Sequence, residues 1–267
     1  MGKGGAMRIY SWNVNGIRAC LKKGFLDWLA TGGVDIVGLQ EVRATLDKIP
    51  PEALEPQGFH ANFFAAKKPG YSGVGIYSTQ EAGEVETSMG VEDFDVEGRV
   101  QFARFGKLLV VNTYVPNGTG PNRDLSRIPY KLGFSQRLFE MLEEEKQNGG
   151  RILVMGDYNT AHKDIDIARP KENEKNSGFR PEERAEIDRI LDLGWTDTFR
   201  HFNKEPENYS WWSHRAGARG RNIGWRIDYI LASPAAMPFV KGAAIHPKVM
   251  GSDHCPISVE MKNSVLK

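Results

Sequence analysis

Short apolar or alternating runs recur along the chain at 7–14, 34–41, 73–78, 100–105, 108–115, 151–156, 226–232 and 257–261, each bounded by Gly, Pro, Asn or Asp. This punctuation predicts β-strands. Helical spacing is clearest in three places: Phe25, Trp28 and Leu29; Phe134, Leu138, Met141 and Leu142; and Ile187, Ile190 and Leu191. All three runs stop at glycine, at Gly32-Gly33, Gly149-Gly150 and Gly194, as helix ends commonly do. The third opens on Pro181-Glu182-Glu183, where proline loses no N–H the helix needs and carboxylates meet the positive end of the dipole. Strands outnumber helices, so the expected class is α/β, with sheets packed face to face and helices outside. Neither G-x-G-x-x-G nor a phosphate-loop G-x-x-x-x-G-K-[ST] follows a strand, which argues against a doubly wound nucleotide fold.

No repeat, low-complexity tract or long linker interrupts the 267 residues, so residues 7–267 are expected to form one domain. Residues 1–6 precede the first apolar run at Met7 and are expected to be a disordered leader or an expression remnant. Without a secretory h-region or an apolar stretch of about 18 residues, the expectation is an intracellular protein with no membrane partner, monomeric by default, cytoplasmic or nucleoid-associated if prokaryotic. Two cysteines, Cys20 and Cys255, give neither a disulfide scaffold nor a Cys-rich zinc site and are expected to be reduced thiols. Thirty-five basic against 34 acidic residues leave a formal charge of +1. That balance excludes a polyelectrolyte or a globally basic DNA-coating protein, so any nucleic-acid surface must be local. Such a patch exists: the stretch 211–226 holds Trp211, Trp212, Arg215, Arg219, Arg221, Trp225 and Arg226 and no acidic residue. Arginines neutralise phosphates and tryptophans pack on a sugar or base, although Trp212 taken alone reads as a core anchor.

Several apolar runs end abruptly in carboxylates, amides or histidine: Asn13 and Asn15, Gln40-Glu41, Tyr114 to Asn117, Asp157 to Asn159, Asp228, and Asp253-His254 before the last strand. Singly, each has a plainer use as a turn or loop residue. Jointly, Glu41 and Asp253 are hard oxygen donors that suit Mg²⁺ or Mn²⁺ better than zinc. Asp157 with Asn159 can orient a water, and His254 with Asp228 can form a hydrogen-bonded pair. The set suits metal-assisted phosphoester hydrolysis.

The blocks Ser11-Trp12-Asn13-Val14-Asn15-Gly16-Ile17-Arg18, Leu39-Gln40-Glu41, Gly70-Tyr71-Ser72-Gly73-Val74, Gly156-Asp157-Tyr158-Asn159, Asn222-Ile223-Gly224-Trp225-Arg226-Ile227-Asp228-Tyr229 and Gly251-Ser252-Asp253-His254-Cys255-Pro256, taken in this order, resemble the exonuclease III family of apurinic/apyrimidinic endonucleases. The resemblance implies a DNase I-like four-layer sandwich of two packed mixed β-sheets flanked by helices. It implies Glu41 as the principal Mg²⁺ carboxylate, with Asn13 and Asp253 as further or water-mediated ligands and Mn²⁺ as a substitute cation. Asp157 would position or deprotonate the attacking water, Asn159 would hold it in line, and His254, fixed by Asp228, would face the scissile phosphate. Tyr114 would stabilise the transition state or leaving oxygen, and Asn117 and Tyr71 would contact phosphate or backbone.

By the same resemblance, Trp211, Trp225 and Ile227 would line a pocket for a flipped-out baseless sugar, with Arg215 as a wedge or clamp beside it. Arg127, Asn173 and Asn176 would contact the DNA backbone, and Lys67 and Lys68 the opposite strand. Asn15 stands where many relatives carry Asp. The implied activity is hydrolysis 5′ to an abasic site in duplex DNA, leaving a 3′-hydroxyl and a 5′-deoxyribose phosphate, with 3′-to-5′ exonuclease action or cleaning of blocked 3′ ends. The alternatives are a member that also incises at deoxyuridine, a phosphoesterase of small-molecule phosphates, and a catalytically silent DNA-binding module.

Overall fold

The computed structural model describes residues 5–267. Residues 1–4 of the expected leader lie outside the described residues, while Ala6 opens the first strand and pairs with Lys262, so that strand begins one residue earlier than the apolar run suggests. The strands are β1 (Ala6–Asn13), β2 (Ile36–Gln40), β3 (His60–Phe64), β4 (Val74–Ser78), β5 (Glu84–Glu86), β6 (Val100–Phe105) and β7 (Leu108–Tyr114). They continue as β8 (Arg151–Asp157), β9 (Thr196–Asp197), β10 (Trp211–Trp212), β11 (Gly224–Trp225), β12 (Asp228–Ala232), β13 (Val240–Ile245) and β14 (Ile257–Lys262). The helices are α1 (Ile17–Leu21), α2 (Phe25–Thr31), α3 (Pro51–Leu54), α4 (Glu92–Asp95), α5 (Ile128–Gln147), α6 (Pro170–Asn173), α7 (Pro181–Asp192) and α8 (Thr198–Phe202).

Twelve of the strands build two six-stranded mixed sheets, ordered β13-β14-β1-β2-β4-β3 and β5-β6-β7-β8-β12-β9. Each contains one parallel pair, β1 with β2 and β7 with β8. Both parallel pairs are joined by helical crossovers, α1 and α2 in the first case and α5 in the second, because a parallel connection cannot be made by a tight turn. All eight runs read as strands contain one. The unread strands β3, β5, β9, β10, β11 and β13 are short, or rich in small and polar residues.

Alternation then sorts side chains into layers. Met7, Ile9, Ile36 and Ile76 of one sheet meet Phe105, Leu108, Val110, Leu153, Met155 and Ile230 of the other in the central core. The intervening residues face outward and are apolar too: Tyr10, Trp12, Val37 and Leu39 pack under α2 with Phe25 and Leu29. Leu109, Val111, Ile152 and Val154 pack under α5 and α7 with Phe134, Leu138, Ile187 and Ile190. Strands buried on both faces explain why the sequence runs look continuously apolar. The result is the expected four-layer α/β sandwich. Among the described residues, no helix is long and apolar enough to cross a membrane. Cys20 and Cys255 are buried and unpaired.

The central core is apolar at one end of the sandwich and polar at the other. Along β1 the inward series is Met7, Ile9, Ser11, Asn13; along β7 it is Leu108, Val110, Asn112, Tyr114. Ser11, Gln40 and Asn112 are fully buried, so their polar atoms need partners. Gln40 Nε2 donates to Ser11 Oγ at 3.0 Å and, across the gap between the sheets, to Asn112 Oδ1 at 2.7 Å. Asn112 Nδ2 donates back to the carbonyls of Leu39 and Gly75 at 3.1 and 2.9 Å. The sheets come this close because β2 carries glycine at position 38, where a Cβ would lie 2.6 Å from Met155 Cε and 2.7 Å from Asn112 Oδ1. Gly38→Ala is expected to lower stability by about 1–3 kcal/mol through overpacking, read as a lower urea midpoint; an unchanged midpoint would show that the layer can give way.

Candidate active site

The polar rim gathers the ends of β1, β2, β7, β8 and β12. Here the chain turns through left-handed backbone at Asn15 (φ 45°), Glu41 (φ 53°), Arg43 (φ 52°) and Asn159 (φ 50°), a conformation that costs non-glycine residues energy and is concentrated at functional sites. Each turn swings a polar side chain off a strand end toward the same point. Parallel pairing continues past the strands, with the Val14 and Gly16 amides donating to the Gln40 and Glu41 carbonyls, so the loops after β1 and β2 are held as a unit.

A cavity of about 370 Å³ opens there, lined by Asn15, Glu41, Arg43, Tyr114, Asn117, Asp157, Asn159, Ser177, Gly178, Trp211, Trp225, Ile227, Asp253 and His254. At its floor His254 Nδ1 lies 2.9 Å from Asp228 Oδ2 and Nε2 lies 3.8 Å from Asp157 Oδ2. Burial works against the imidazolium, but the Asp228 and Asp157 carboxylates outweigh it and raise the His254 pKa to about 10. Burial, with Asp228 nearby, lifts Asp157 to about 7 against the opposing pull of His254 and of N–H donors from Asn159 and Asn13. A buried cation thus sits beside a carboxylate able to exchange a proton near neutrality. Asp157, Asp228 and His254 bring three potential metal-ligand atoms within 4.8 Å of one another. In this arrangement both ring nitrogens of His254 face protein carboxylates, Nδ1 to Asp228 and Nε2 toward Asp157, which suits proton handling as well as ligation.

Asn13 stands behind the cavity. Its Nδ2 donates to Glu41 Oε2 at 2.9 Å and to Asp157 Oδ2 at 2.8 Å, while its Oδ1 accepts from the Asn15 amide at 2.9 Å. In this orientation Asn13 ties two carboxylates together and turns its oxygen away from them. Glu41, partly exposed on the cavity wall, is the hard-oxygen donor that suits a divalent cation. Arg43 donates to Glu41 Oε1 through Nε at 3.0 Å and through Nη2.

Asn159 is pinned by its own amide to Asp157 Oδ1 at 2.8 Å and by Nδ2 to the Val115 carbonyl at 2.9 Å. Asn117 Nδ2 donates to Asn159 Oδ1 at 3.0 Å. Burial and the neighbouring Glu41 push the Tyr114 phenol well above its ordinary value of 10.0, against the pull of Arg99.

The aromatic part of the cavity is built on the small β10–β11 ribbon, in which Trp211 pairs with Trp225. The two indoles meet edge to face at 5.9 Å and 87°, with Ile227, Phe179, Ile167 and Ala161 packed around them. Behind this wall Arg226 is fully buried and donates to Asp166 Oδ1 at 2.7 Å, with Asp197 Oδ2 at 2.8 Å from its Nη2. Arg219 donates to the carbonyls of Ser252, Pro247 and Val249. Arg219 and Arg226 are therefore structural, and of the four arginines in this stretch Arg215 and Arg221 keep exposed side chains. Trp212, 3% exposed, is the core anchor it resembles in sequence.

The remaining expected DNA contacts lie outside the cavity. Tyr71 is held by Arg99, and Arg127 pairs with Glu97 at 3.0 Å. Asn173 caps the end of α6 through the Ala168 and Arg169 carbonyls and accepts from Asn176 at 2.8 Å.

Several supporting residues carry no local signal in the sequence. Ser210 Oγ donates to Asp228 Oδ2 at 2.6 Å and accepts from the Ile227 and Asp228 amides. Lys131, 3% exposed on α5, donates to the Asn159 carbonyl at 2.7 Å and to Glu183 Oε1 at 2.6 Å. Glu183, the expected first-turn carboxylate, is 1% exposed and also accepts from the Gly178 and Arg180 amides. Arg99 stacks 4.6 Å from the Tyr114 ring, donates to the Tyr114 carbonyl at 3.0 Å and holds Tyr71 Oη at 2.8 Å.

Residues 10–254 match the Endonuclease/Exonuclease/phosphatase family. The chain is 41% identical over 255 residues to an exodeoxyribonuclease of Bacillus subtilis (strain 168), covering 95% of this chain and 98% of that protein. It is 36% identical over 256 residues to a DNA-(apurinic or apyrimidinic site) endonuclease of Dictyostelium discoideum, covering 95% and 70%. Among solved structures, an AP endonuclease from Archaeoglobus fulgidus superposes with a TM-score of 0.86 at 29% identity, covering 96% of this chain and 99% of that one. A Neisseria 3′ phosphatase bound to a product DNA hairpin gives 0.86 at 30%, covering 96% and 100%.

The His254 imidazolium, raised to about 10 in the fold, is expected to persist through neutral pH in an NMR titration of its ring protons. Because the folded value lies above the unfolded one near 6.5, its stabilising effect is complete below that pH and lost as pH climbs toward 10. Asp228→Asn should bring the midpoint down and shrink the alkaline loss; an unmoved midpoint would remove Asp228 as its cause.

Proposed function

Because this chain belongs to the endonuclease/exonuclease/phosphatase family and is a hydrolytic nuclease, we propose that it is a DNA repair enzyme that opens the phosphodiester 5′ to an abasic site in duplex DNA. One observation carries the reading: the imidazolium–carboxylate floor and the two-tryptophan wall share one cavity. The floor suits hydrolysis of an anionic diester. The wall suits a flat, apolar contact with a sugar that has lost its base, and extruding such a site costs less than extruding a paired base.

In this scheme Asp157 accepts a proton from the attacking water, and Asn159, locked beside it, holds that water in line with the phosphorus. His254, charged and oriented by Asp228, donates to a non-bridging phosphate oxygen where negative charge builds. Tyr114, kept protonated by its raised pKa, donates at the same phosphate. Water adds to phosphorus, the bond from phosphorus to the upstream O3′ breaks, and O3′ takes up a proton. The products are a 3′-hydroxyl and a 5′-deoxyribose phosphate. Glu41 would hold a divalent cation, Mg²⁺ or Mn²⁺, which when bound supplies positive charge to the phosphate oxygens. The same chemistry at a strand end gives 3′-to-5′ exonuclease action or removal of a 3′ block, as the similar Neisseria 3′ phosphatase does with a terminal phosphate. Asn117, Arg215 and the 173–176 loop are the proposed backbone contacts, and the exposed Lys67 and Lys68 face outward toward the opposite strand.

The test is a labelled duplex series carrying a tetrahydrofuran abasic mimic, a deoxyuridine or no lesion, with Mg²⁺ and then with excess EDTA. Incision 5′ to the mimic, abolished by EDTA, is expected; cutting at deoxyuridine as well would widen the substrate range, and hydrolysis of small phosphates alone would overturn the reading. Asp157→Asn is expected to lower kcat by about 10²–10⁴-fold, the usual worth of a general base, with a much smaller change in KM. Glu41→Ala should still bind the abasic duplex while losing incision, which a silent binding module would not require.

A further inference from the structure

Asp253 is engaged on both carboxylate oxygens by neutral donors from separate parts of the site. Asn15 Nδ2 donates to Oδ1 at 2.8 Å, Ser252 Oγ to Oδ1 at 3.2 Å, and the Trp211 indole Nε1 to Oδ2 at 3.1 Å. The backbone repeats the connection, with the Trp212 amide donating to the Asp253 carbonyl at 3.0 Å and Trp211 bridging to His254 as a one-residue antiparallel pair. Trp211 is a wall of the aromatic cavity, and the indole N–H is its one polar atom. On the other side Asn15 gives Asp253 its N–H₂ group, so its oxygen is turned away from that carboxylate. Its own amide is held by Asn13, which in turn joins Glu41 to Asp157. An unbroken line of hydrogen bonds therefore runs from the metal-side carboxylate Glu41 through Asn13, Asn15 and Asp253 to the edge of Trp211.

Glu41 too receives donors on both oxygens, but the one on Oε1 is the half-exposed Arg43 side chain, which can swing into solvent and open that oxygen to an ion; the donors on Asp253 are held in place, Asn15 by Asn13 and Trp211 by the β10–β11 ribbon. Charge-assisted hydrogen bonds of this kind orient their partners more firmly than neutral ones. An indole fixed at its N–H and braced edge-on by Trp225 can neither rotate nor retreat, which sets the width of the cavity mouth.

We infer that Asp253 is a positioning residue for substrate choice, an anionic clamp that fixes Trp211 against the loop after β1 and so makes the pocket fit a baseless sugar and refuse an intact nucleotide, rather than a carboxylate of the metal site. The inference rests on the abasic-site reading above. Its structural half, the Asp253–Trp211 bond, is measurable without DNA.

Asp253→Asn, Trp211→Phe and the double variant test it on the full chain with three readouts. The ¹⁵N–¹H signal of the Trp211 indole, identified by its absence in Trp211→Phe, is expected to shift and exchange faster in Asp253→Asn. Mn²⁺ affinity, measured by calorimetry without DNA, should stay within about threefold of the parent, a smaller change than loss of a ligand usually brings. The preference for a tetrahydrofuran duplex over an undamaged one, from Kd values in EDTA, should fall about tenfold in each single variant, as loss of one charged hydrogen bond does, and no further in the double variant. A tenfold weaker Mn²⁺ affinity in Asp253→Asn with an unmoved Trp211 indole signal would overturn the clamp, as would fully additive losses. A parent protein without preference for the abasic duplex, but whose Trp211 signal responds to Asp253→Asn, would sink the substrate reading and leave the clamp standing as a structural contact only.

Discussion

The site depends on two sheets approaching so closely that a side chain of one can hydrogen-bond a side chain of the other without water between them. Gln40 reaches Asn112 across that gap, and the missing side chain at Gly38 makes the distance possible. Farther along the sandwich the same gap is filled by Ile, Val, Leu and Met, where nothing directional sets one sheet's position against the other. At the rim the amide layer does so, because a shift of either sheet would break the bonds that Gln40 Nε2 and Asn112 Nδ2 make across the gap. Glu41 follows Gln40 directly and Tyr114 lies two residues beyond Asn112, so the layer that locks the sheets also locks the first functional side chains above it.

Much of this was legible in the order of residues, because a strand that ends in a carboxylate or amide breaks the expectation for a core strand. That irregularity flagged Asn13, Glu41, Asp157, Asp228 and His254, and ten of the expected residues line one cavity. The framework strands were equally readable, being long and apolar on both faces. What stayed hidden were partners whose polarity is explained only by distant chain. Lys131 looks like an ordinary surface lysine of an amphipathic helix until Asn159 and Glu183 are seen against it. Arg226 sits in an arginine–tryptophan stretch that reads as a DNA patch, yet it spends its charge on Asp166 and Asp197 inside the protein. Composition cannot separate an arginine that faces a ligand from one that braces a wall.

The electrostatics follow from the same burial. A histidine buried between two carboxylates has its pKa pushed up to about 10, because their charges outweigh the cost of burial. The protein is almost neutral overall, but at this rim the imidazole is fixed in place by carboxylate oxygens that face both of its ring nitrogens. The placement of these side chains is done by Ser210, Asn13, Lys131 and Arg99, through hydrogen bonds inside the protein.

The pairing of β1 with β14 has a consequence for how the molecule is made. The first strand finds one neighbour, β2, soon after it is synthesised, but the other is β14, more than 240 residues on, and Asp253 and His254 lie shortly before it. The floor of the candidate site therefore remains open until residues 253–262 have been made, since the contact that closes it is long in sequence. A growing chain carries Glu41 and Asp157 well before the imidazole that sits beside them, so the cluster assembles in one step, when β14 closes on β1.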